Sequence, residues 1–420
     1  MFDPRLRRRR LRLPATRWSY RLALGWFGLL MLVGLLAPWL ATDLPFRATY
    51  RGRVYHPYAQ PYDTIRLMTP DGRWRPAMTL AQVAWPEVVG AAAHYAPIPY
   101  GPDGSNDRWV PPGGLPRDLD LPPQETTRFR HWLGTDYLGH DVLAYLIYGA
   151  RESLWLAVGA ALLAWLLGAL VGLVSGFLGN DGLRLRRGHL SLWMVGLGLA
   201  WFYGYEVWRV PGAGPEGSAY RWLGAGLASG ILALVHWGGR WWLRRQPLRP
   251  VPVDRLISRV IEVLDSLPGL LLILALASLF AAPDTATLLL LIALVGWPGV
   301  ARLVRGEVLR EKQQPYCEAA LALGVSPWRM LFYHLLPNVM PQFLFAIAFT
   351  AGSFLILEAT LTYLGLSQES TSWGALLQEA SQRPEVWWVL LPPLLLIATT
   401  VISLHTIGQW WQDRLDPRQP

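Results

Sequence analysis

The chain has 420 residues, 52% of them hydrophobic and only 16% charged, with a net charge of +9. Charge is excluded from several long apolar runs, which sets the chain apart from soluble globular proteins and marks a membrane protein. Its basic residues flank those runs instead of forming one patch, so they read as topology signals and exclude a nucleic-acid surface.

An arginine-rich stretch from Arg5 to Arg21 precedes the first uncharged run, Leu22–Thr42. That run is long enough for a bilayer core of about 30 Å. Bulky Trp39 stands at the −3 position of the obvious cleavage site, Ala41. A retained anchor with a cytoplasmic N-terminus (1–21, helix 22–42) is therefore expected rather than a cleaved leader. Residues 43–145 follow, polar and rich in Pro, Gly, Tyr and Trp, with little helical periodicity. They predict a small extracytoplasmic cap of short strands and turns, with a strand at Tyr50–Pro57 and turns at Thr69–Gly72 and Pro102–Gly104.

The next uncharged runs are Ser153–Asn180, Leu190–Tyr205, Trp222–Gly239, Ser266–Pro283, Thr285–Ala301, Leu335–Leu357 and Val386–Gln412. The expected domains are a second span with its lead-in (146–180), an inserted helical pair (181–251), a membrane core (252–412) and a cytoplasmic tail (413–420). The inserted segments are short and Gly-rich, so a pair of spans and a re-entrant hairpin both fit. Parity requires both to cross or neither. Arg184, Arg186 and Arg187 precede the pair, and Arg240, Arg244, Arg245 and Arg249 follow it. With Arg302, Arg305, Arg310, Lys312 and Arg329 in the connector at 305–334, this charge pattern places both termini and that connector in the cytoplasm of an inner-membrane, multi-pass protein.

That connector is the most informative stretch. It carries Glu318-Ala319-Ala320, then Gly324, then Leu336-Pro337. Glu318 lies near the start of a short helix, where a carboxylate favours the positive dipole end. Ala319 and Ala320 leave one face bare, open to close approach by another protein. Gly324 supplies the positive φ that ends the helix, and Ser326-Pro327 opens the next with an N-cap and an N1 proline. Leu336-Pro337 marks re-entry into the bilayer.

This pattern resembles the coupling loop of permeases in binding-protein-dependent ABC importers. Flanking segments narrow the resemblance: Gly296-Trp297-Pro298-Gly299, His131-Trp132-Leu133-Gly134-Thr135-Asp136, Gly139-His140-Asp141, Tyr363-Leu364-Gly365, Ser372-Trp373-Gly374 and Asp416-Pro417-Arg418. Together they are similar to C-type subunits of the oligopeptide/dipeptide/nickel permease family. The resemblance implies an all-α polytopic fold with a six-helix core. It also implies a B-type permease partner in a heterodimer, two ABC ATPase subunits and an extracytoplasmic solute-binding protein. ATP-driven import of peptides or related solutes would follow, with ATP and Mg on the partner subunits and no cofactor on this chain. His140 stands where the family usually has Arg, and His334 where many importers carry an aliphatic residue. The enlarged outer segment is similar to a subgroup that includes microcin-type permeases.

The residues themselves agree on what is missing. A phosphate-cradling loop needs Gly-Lys-Ser/Thr, and the one lysine, Lys312, follows Glu311. The histidines form no close ligand pair, so no metal site is expected. The single cysteine, Cys317, excludes an internal disulfide. Asp136 and Asp141 precede a helix and read as capping or turn residues. Arg255 and Arg259 are placed to pair with Glu262 and Asp265. Glu358, ending an uncharged run, faces either a pathway or a helix interface. The alternative function is an ion-coupled secondary transporter acting without ATPases, which would need charges buried within spans and repeat symmetry.

Overall fold

Apolar length decides most of the helices. In a computed structural model, residues 17–415 are described except 68–76, 84, 86, 87, 89, 90, 103, 105–107, 116–128, 181, 187–195, 200, 203–225, 234–236, 238–247, 281, 282 and 367–370. Helix α1 (Arg17–Leu35) starts on the arginines that precede the apolar run, and Pro38 restarts a single turn at Ala37–Leu40. The chain then enters a small β-rich cap.

In the cap, β1 (Arg47–Tyr50) and β2 (Arg53–Tyr55) form a hairpin, and β1 also pairs antiparallel with β5 (Ala91–His94). The short strands β3 (Thr64–Ile65) and β4 (Met78–Thr79) pair with each other. The strand expected at Tyr50–Pro57 is broken at its start. Arg51 and Gly52 both take positive φ (51° and 76°), the requirement of a two-residue hairpin turn, so Tyr50 ends one strand and Arg53 begins the next. Ala48, Tyr50, Leu80, Trp85, Tyr95, Tyr100 and Phe129 close a core that also takes in Ala144 and Ile147 of the following helix. The turn expected at Thr69–Gly72 lies outside the described residues, as does Asp103 of the second.

Helix α2 (Val142–Leu178) is 37 residues, or about 55 Å. It begins well before the apolar run, because Asp141 supplies a cap: its Oδ1 accepts from the Ala144 N–H at 2.8 Å. The excess over a bilayer core seats the cap at one end and reaches past the membrane at the other. Strands β6 (Leu183–Arg186) and β7 (Leu248–Val251) then pair antiparallel, with residues 186 and 248 in register. The chain thus leaves for the inserted segment and returns from it at one place. Its two expected helices fall largely outside the described residues.

Helix α3 (Val253–Asp265) precedes the span expected at Ser266–Pro283, and helix α4 (Gly269–Ala277) lies within it. The two are bent by 79° at the break. Pro268 cannot donate an intrahelical hydrogen bond and disfavours helical geometry in Leu267, which accounts for the break. Helix α5 (Thr285–Lys312) carries the next run, with Pro298 inside it. Then come helix α6 (Pro315–Ala322), a π-helical stretch at Met330–Leu335, helix α7 (Leu336–Tyr363), helix α8 (Trp373–Ser381) and helix α9 (Trp387–Leu415). Among the described residues, five helices are long and apolar enough to cross a membrane, or six if the bent α3–α4 pair is one span.

The chain divides into two compact units. The first holds Met1–Ala169, Leu264–Ala301 and Ser326–Pro420. In it α9 packs along α7, α1 and α8. Small residues on α2, namely Ala157, Ala160, Ala161 and Ala164, are fully or almost fully buried and let neighbouring helices approach closely. The second unit holds Leu170–Val263 and Arg302–Val325, and it contains the informative connector.

Candidate functional site

Helix α5 does not stop where the apolar run stops. The first eight residues of the expected loop, 305–312, continue its helix, and the chain turns only at Gln313-Gln314. Pro315 then opens α6, with Glu318 in its first turn, where the unpaired N–H groups lie. One side of α6 faces back: Cys317 is 2% exposed, and its Sγ–H donates to the Glu311 carbonyl oxygen at 3.3 Å. The Tyr316 hydroxyl donates to Glu311 Oε2 at 3.0 Å. Burial pushes the Cys317 thiol above its ordinary range. The opposite side presents Glu318, Ala319, Ala322 and Leu323, all exposed, with Ala320 half-buried between the two faces.

Gly324 ends the helix at φ +76°, a value that other L-residues adopt only under strain. The Val325 N–H reaches back to the Ala320 carbonyl at 3.1 Å, closing the turn. In the other unit, Ser326 Oγ accepts from the Arg329 N–H at 3.4 Å, with Pro327 at the first helical position. The π register at Met330–Leu335 follows from Pro337, whose missing N–H removes an i→i−4 bond just as α7 begins. Leu336 is half-buried and Pro337 exposed at that entry.

At the far end of α2, the lead-in is a network of carboxylates and histidines. Asp136 Oδ1 accepts from the backbone N–H groups of Leu138 and His140 at 2.9 and 2.7 Å, and its Oδ2 lies 2.7 Å from His140 Nδ1. Asp141 Oδ2 pairs with His131 Nδ1 at 2.8 Å, both groups essentially fully buried. Both aspartates thus act as turn and cap residues. The histidine at 140, in place of the family's usual arginine, still pairs with Asp136. Glu379 on α8 also joins this network, a role nothing in its sequence neighbourhood announces. Its Oε1 accepts from the Tyr137 N–H at 2.8 Å.

Burial, and then the Asp136 charge beside it, push the Glu379 carboxyl from 4.5 to about 7. A carboxyl whose folded value is raised contributes stability that is fully present below its unfolded value and lost as pH rises through the folded one. Folding stability is therefore expected to fall from pH 4.5 up through about 7, as this buried carboxyl ionises beside Asp136. Melting temperature measured across that window should fall for the wild-type chain and stay level for Glu379→Gln. A parallel decline in both would exclude this carboxyl as the source.

Glu358 sits in α7 at 2% exposure, where its Oε1 accepts from the Thr362 hydroxyl at 3.2 Å. Of the expected surface pairs, Arg259 and Glu262 meet at 2.7 Å, both well exposed, so their bridge adds little to stability. Among the described residues, no group of three His, Cys, Asp or Glu side chains is placed to hold a metal ion. A second ion pair was not foreseen at all: Asp254, at the start of α3, meets Arg305 on α5. Nothing in the local sequence pattern around Asp254 points to a partner 51 positions away.

Comparison with known proteins adds the family. Residues 248–419 match the family described as binding-protein-dependent transport system inner membrane component. The chain is 28% identical to the dipeptide transport system permease protein of Bacillus subtilis, over 72% of each chain. It is 27% identical to the glutathione transport system permease protein of Pectobacterium atrosepticum, over 69% of this chain and 73% of that one. It is also 26% identical to the oligopeptide transport system permease protein of Bacillus subtilis, over 72% of this chain and 75% of that one. The matched region begins at β7 and takes in α3 to α9, including α6, the Gly324 turn and the helix re-entry. Residues 248–419 of this multi-pass helical chain thus carry the inner membrane component of binding-protein-dependent transport systems, and the chain is similar to permease subunits of dipeptide, glutathione and oligopeptide transport systems.

Proposed function

We propose that α6 and the Gly324 turn are the surface on which the ATPase subunits dock, and that the solute carried is a peptide or a related small molecule. The observation that carries this reading is the outward face of α6. It lies outside every candidate span and presents Ala319, Ala322 and Leu323, the last 84% exposed, beside a single carboxylate. An apolar face of this kind is unfavourable in water unless a partner covers it. Glu318 gives that partner a charge to pair with.

In this reading the chain pairs with a B-type permease and two ATPases that bind ATP and Mg, and it receives solute from an extracytoplasmic binding protein. Both termini and the α6 connector are cytoplasmic, and residues 43–145 are extracytoplasmic. The names of the relatives, dipeptide, oligopeptide and glutathione systems, support a peptide-like solute. Closure of the ATPases moves α6, and this shifts the spans between inward- and outward-open states only insofar as the docking energy differs between them.

Sidedness tests the reading. Cys317 is a poor probe, because it is buried and its thiol is held protonated. Leu323→Cys in a Cys317→Ser background places a thiol at an exposed site. A membrane-impermeant maleimide should label it in inverted vesicles and not in intact cells, and assembly with the ATPases should suppress the labelling. Labelling from the outside of intact cells would overturn the docking assignment.

A further inference from the structure

The end of α2, the start of α3 and the last turns of α5 meet at one partly buried ion pair, with the Arg305 side chain 28% exposed. Asp254 is 8% exposed. Its Oδ1 accepts from Arg305 Nε, and its Oδ2 accepts from Arg305 Nη2 at 2.8 Å, a two-pronged match of guanidinium to carboxylate. The Ser175 hydroxyl of α2 donates to Asp254 Oδ1 at 2.7 Å. The Asp254 N–H donates to the Gly179 carbonyl at 3.1 Å, and Lys312 Nζ donates to the Phe177 carbonyl at 2.9 Å. The helices touch at backbone distance here. A Cβ on Gly176 would lie 2.9 Å from Val308 Cβ and 3.2 Å from the Arg305 carbonyl oxygen.

Stability alone does not ask for such a pair. Desolvating two charges consumes most of what their attraction returns, and apolar residues of the same volume serve a core as well or better. What a bidentate pair supplies is a fixed relative orientation of the elements that carry it. From Arg305, α5 runs on without a break to Lys312, and Glu311 then holds α6 through Tyr316 and Cys317. The bonds therefore link α6 to α5, and α5 to both α3 and α2.

We propose that the Asp254–Arg305 pair, braced by Ser175, is a positioning clamp that makes the end of α2, the start of α3 and the α5–α6 stalk move as one body. Displacement of α6 is thereby passed to several membrane helices at once. The proposal rests on the coupling role of α6. Without the clamp, ATPases still dock on α6, but their closure and the state of the spans lose contact with each other.

The test uses the complete importer, reconstituted in proteoliposomes with its ATPases and binding protein. It reads the stimulation of ATP hydrolysis by the binding protein alongside the amount of ATPase retained. Asp254→Asn should retain the ATPases and basal hydrolysis, while stimulation falls about tenfold, the size of a typical coupling between sites. Exchanging the charges, Asp254→Arg with Arg305→Asp, should restore part of it. Wild-type stimulation in Asp254→Asn overturns the clamp. Where that variant assembles poorly, Arg305→Lys keeps both charges and gives up the fork. Wild-type stimulation there, or failure of that variant to assemble as well, also overturns the proposal, the latter because the pair then serves folding alone. The docking role of α6 fails by a separate result: retained ATPases and full stimulation in Glu318→Lys.

Discussion

Glu318→Lys and, separately, Gly324→Asp are expected to abolish solute uptake while the chain still inserts into the membrane at the wild-type level. Glu318 is exposed in the first turn of α6, so reversing its charge costs the fold no more than about 1 kcal/mol of lost dipole interaction. That is too little to unfold a polytopic protein, and a loss of uptake would therefore report on the surface it presents. Gly324 makes the same point through the backbone. A Cβ there would meet nothing within 4 Å, so the added side chain does not clash. The penalty lies in φ +76°, about 1–2 kcal/mol for a residue with a Cβ. It is relieved by reshaping the turn that sets where α6 ends. Uptake assays paired with quantification of the chain in membrane fractions check both variants. Normal uptake in either, at normal membrane levels, would argue against α6 as the coupling element.

Trp373→Ala is expected to cost about 3–5 kcal/mol, the range for emptying a buried aromatic site. The Trp373 side chain is fully buried at the start of α8, and its Nε1–H donates to the Leu146 carbonyl of α2 at 3.0 Å. Its own N–H donates to Ser153 Oγ at 3.3 Å, and the preceding Ser372 caps α8 through the Ala375 N–H. The residue thus ties the short outer helix to α2 by volume and by two hydrogen bonds. Melting in detergent should show a large drop for Trp373→Ala. Trp373→Phe, which refills most of the space but leaves the Leu146 carbonyl without this donor, should lose only about 1 kcal/mol. Equal melting of all three proteins would show that the site does not anchor α8.

Much of this architecture was legible in the residues, for reasons that are local. Long uncharged runs announce spans because hydrocarbon tolerates no unpaired polar group. The connector was readable for the same reason: Glu318, Gly324, Ser326 and Pro337 each act on their own few residues of backbone, and each is found at the helix end or turn its chemistry suits. Element boundaries were less legible. The run at Ser266–Pro283 holds α4, but Pro268 near its start bends α4 by 79° from α3. The strand expected at Tyr50–Pro57 is shortened to Arg53–Tyr55, because Arg51 adopts a positive φ that composition does not announce.

Composition, charge placement and short-range backbone chemistry were enough to establish a membrane chain, most of its described helices and the backbone turns of the connector. Each of those depends on one residue's own transfer energy or its own φ and ψ. The tertiary structure alone decided which distant groups meet: Asp254 with Arg305, Glu379 with Tyr137, Trp373 with Leu146, and β6 with β7 across the insertion. These pairings depend on the angle and depth at which helices pack, set by the summed fit of many side chains, and no single stretch of sequence encodes that sum.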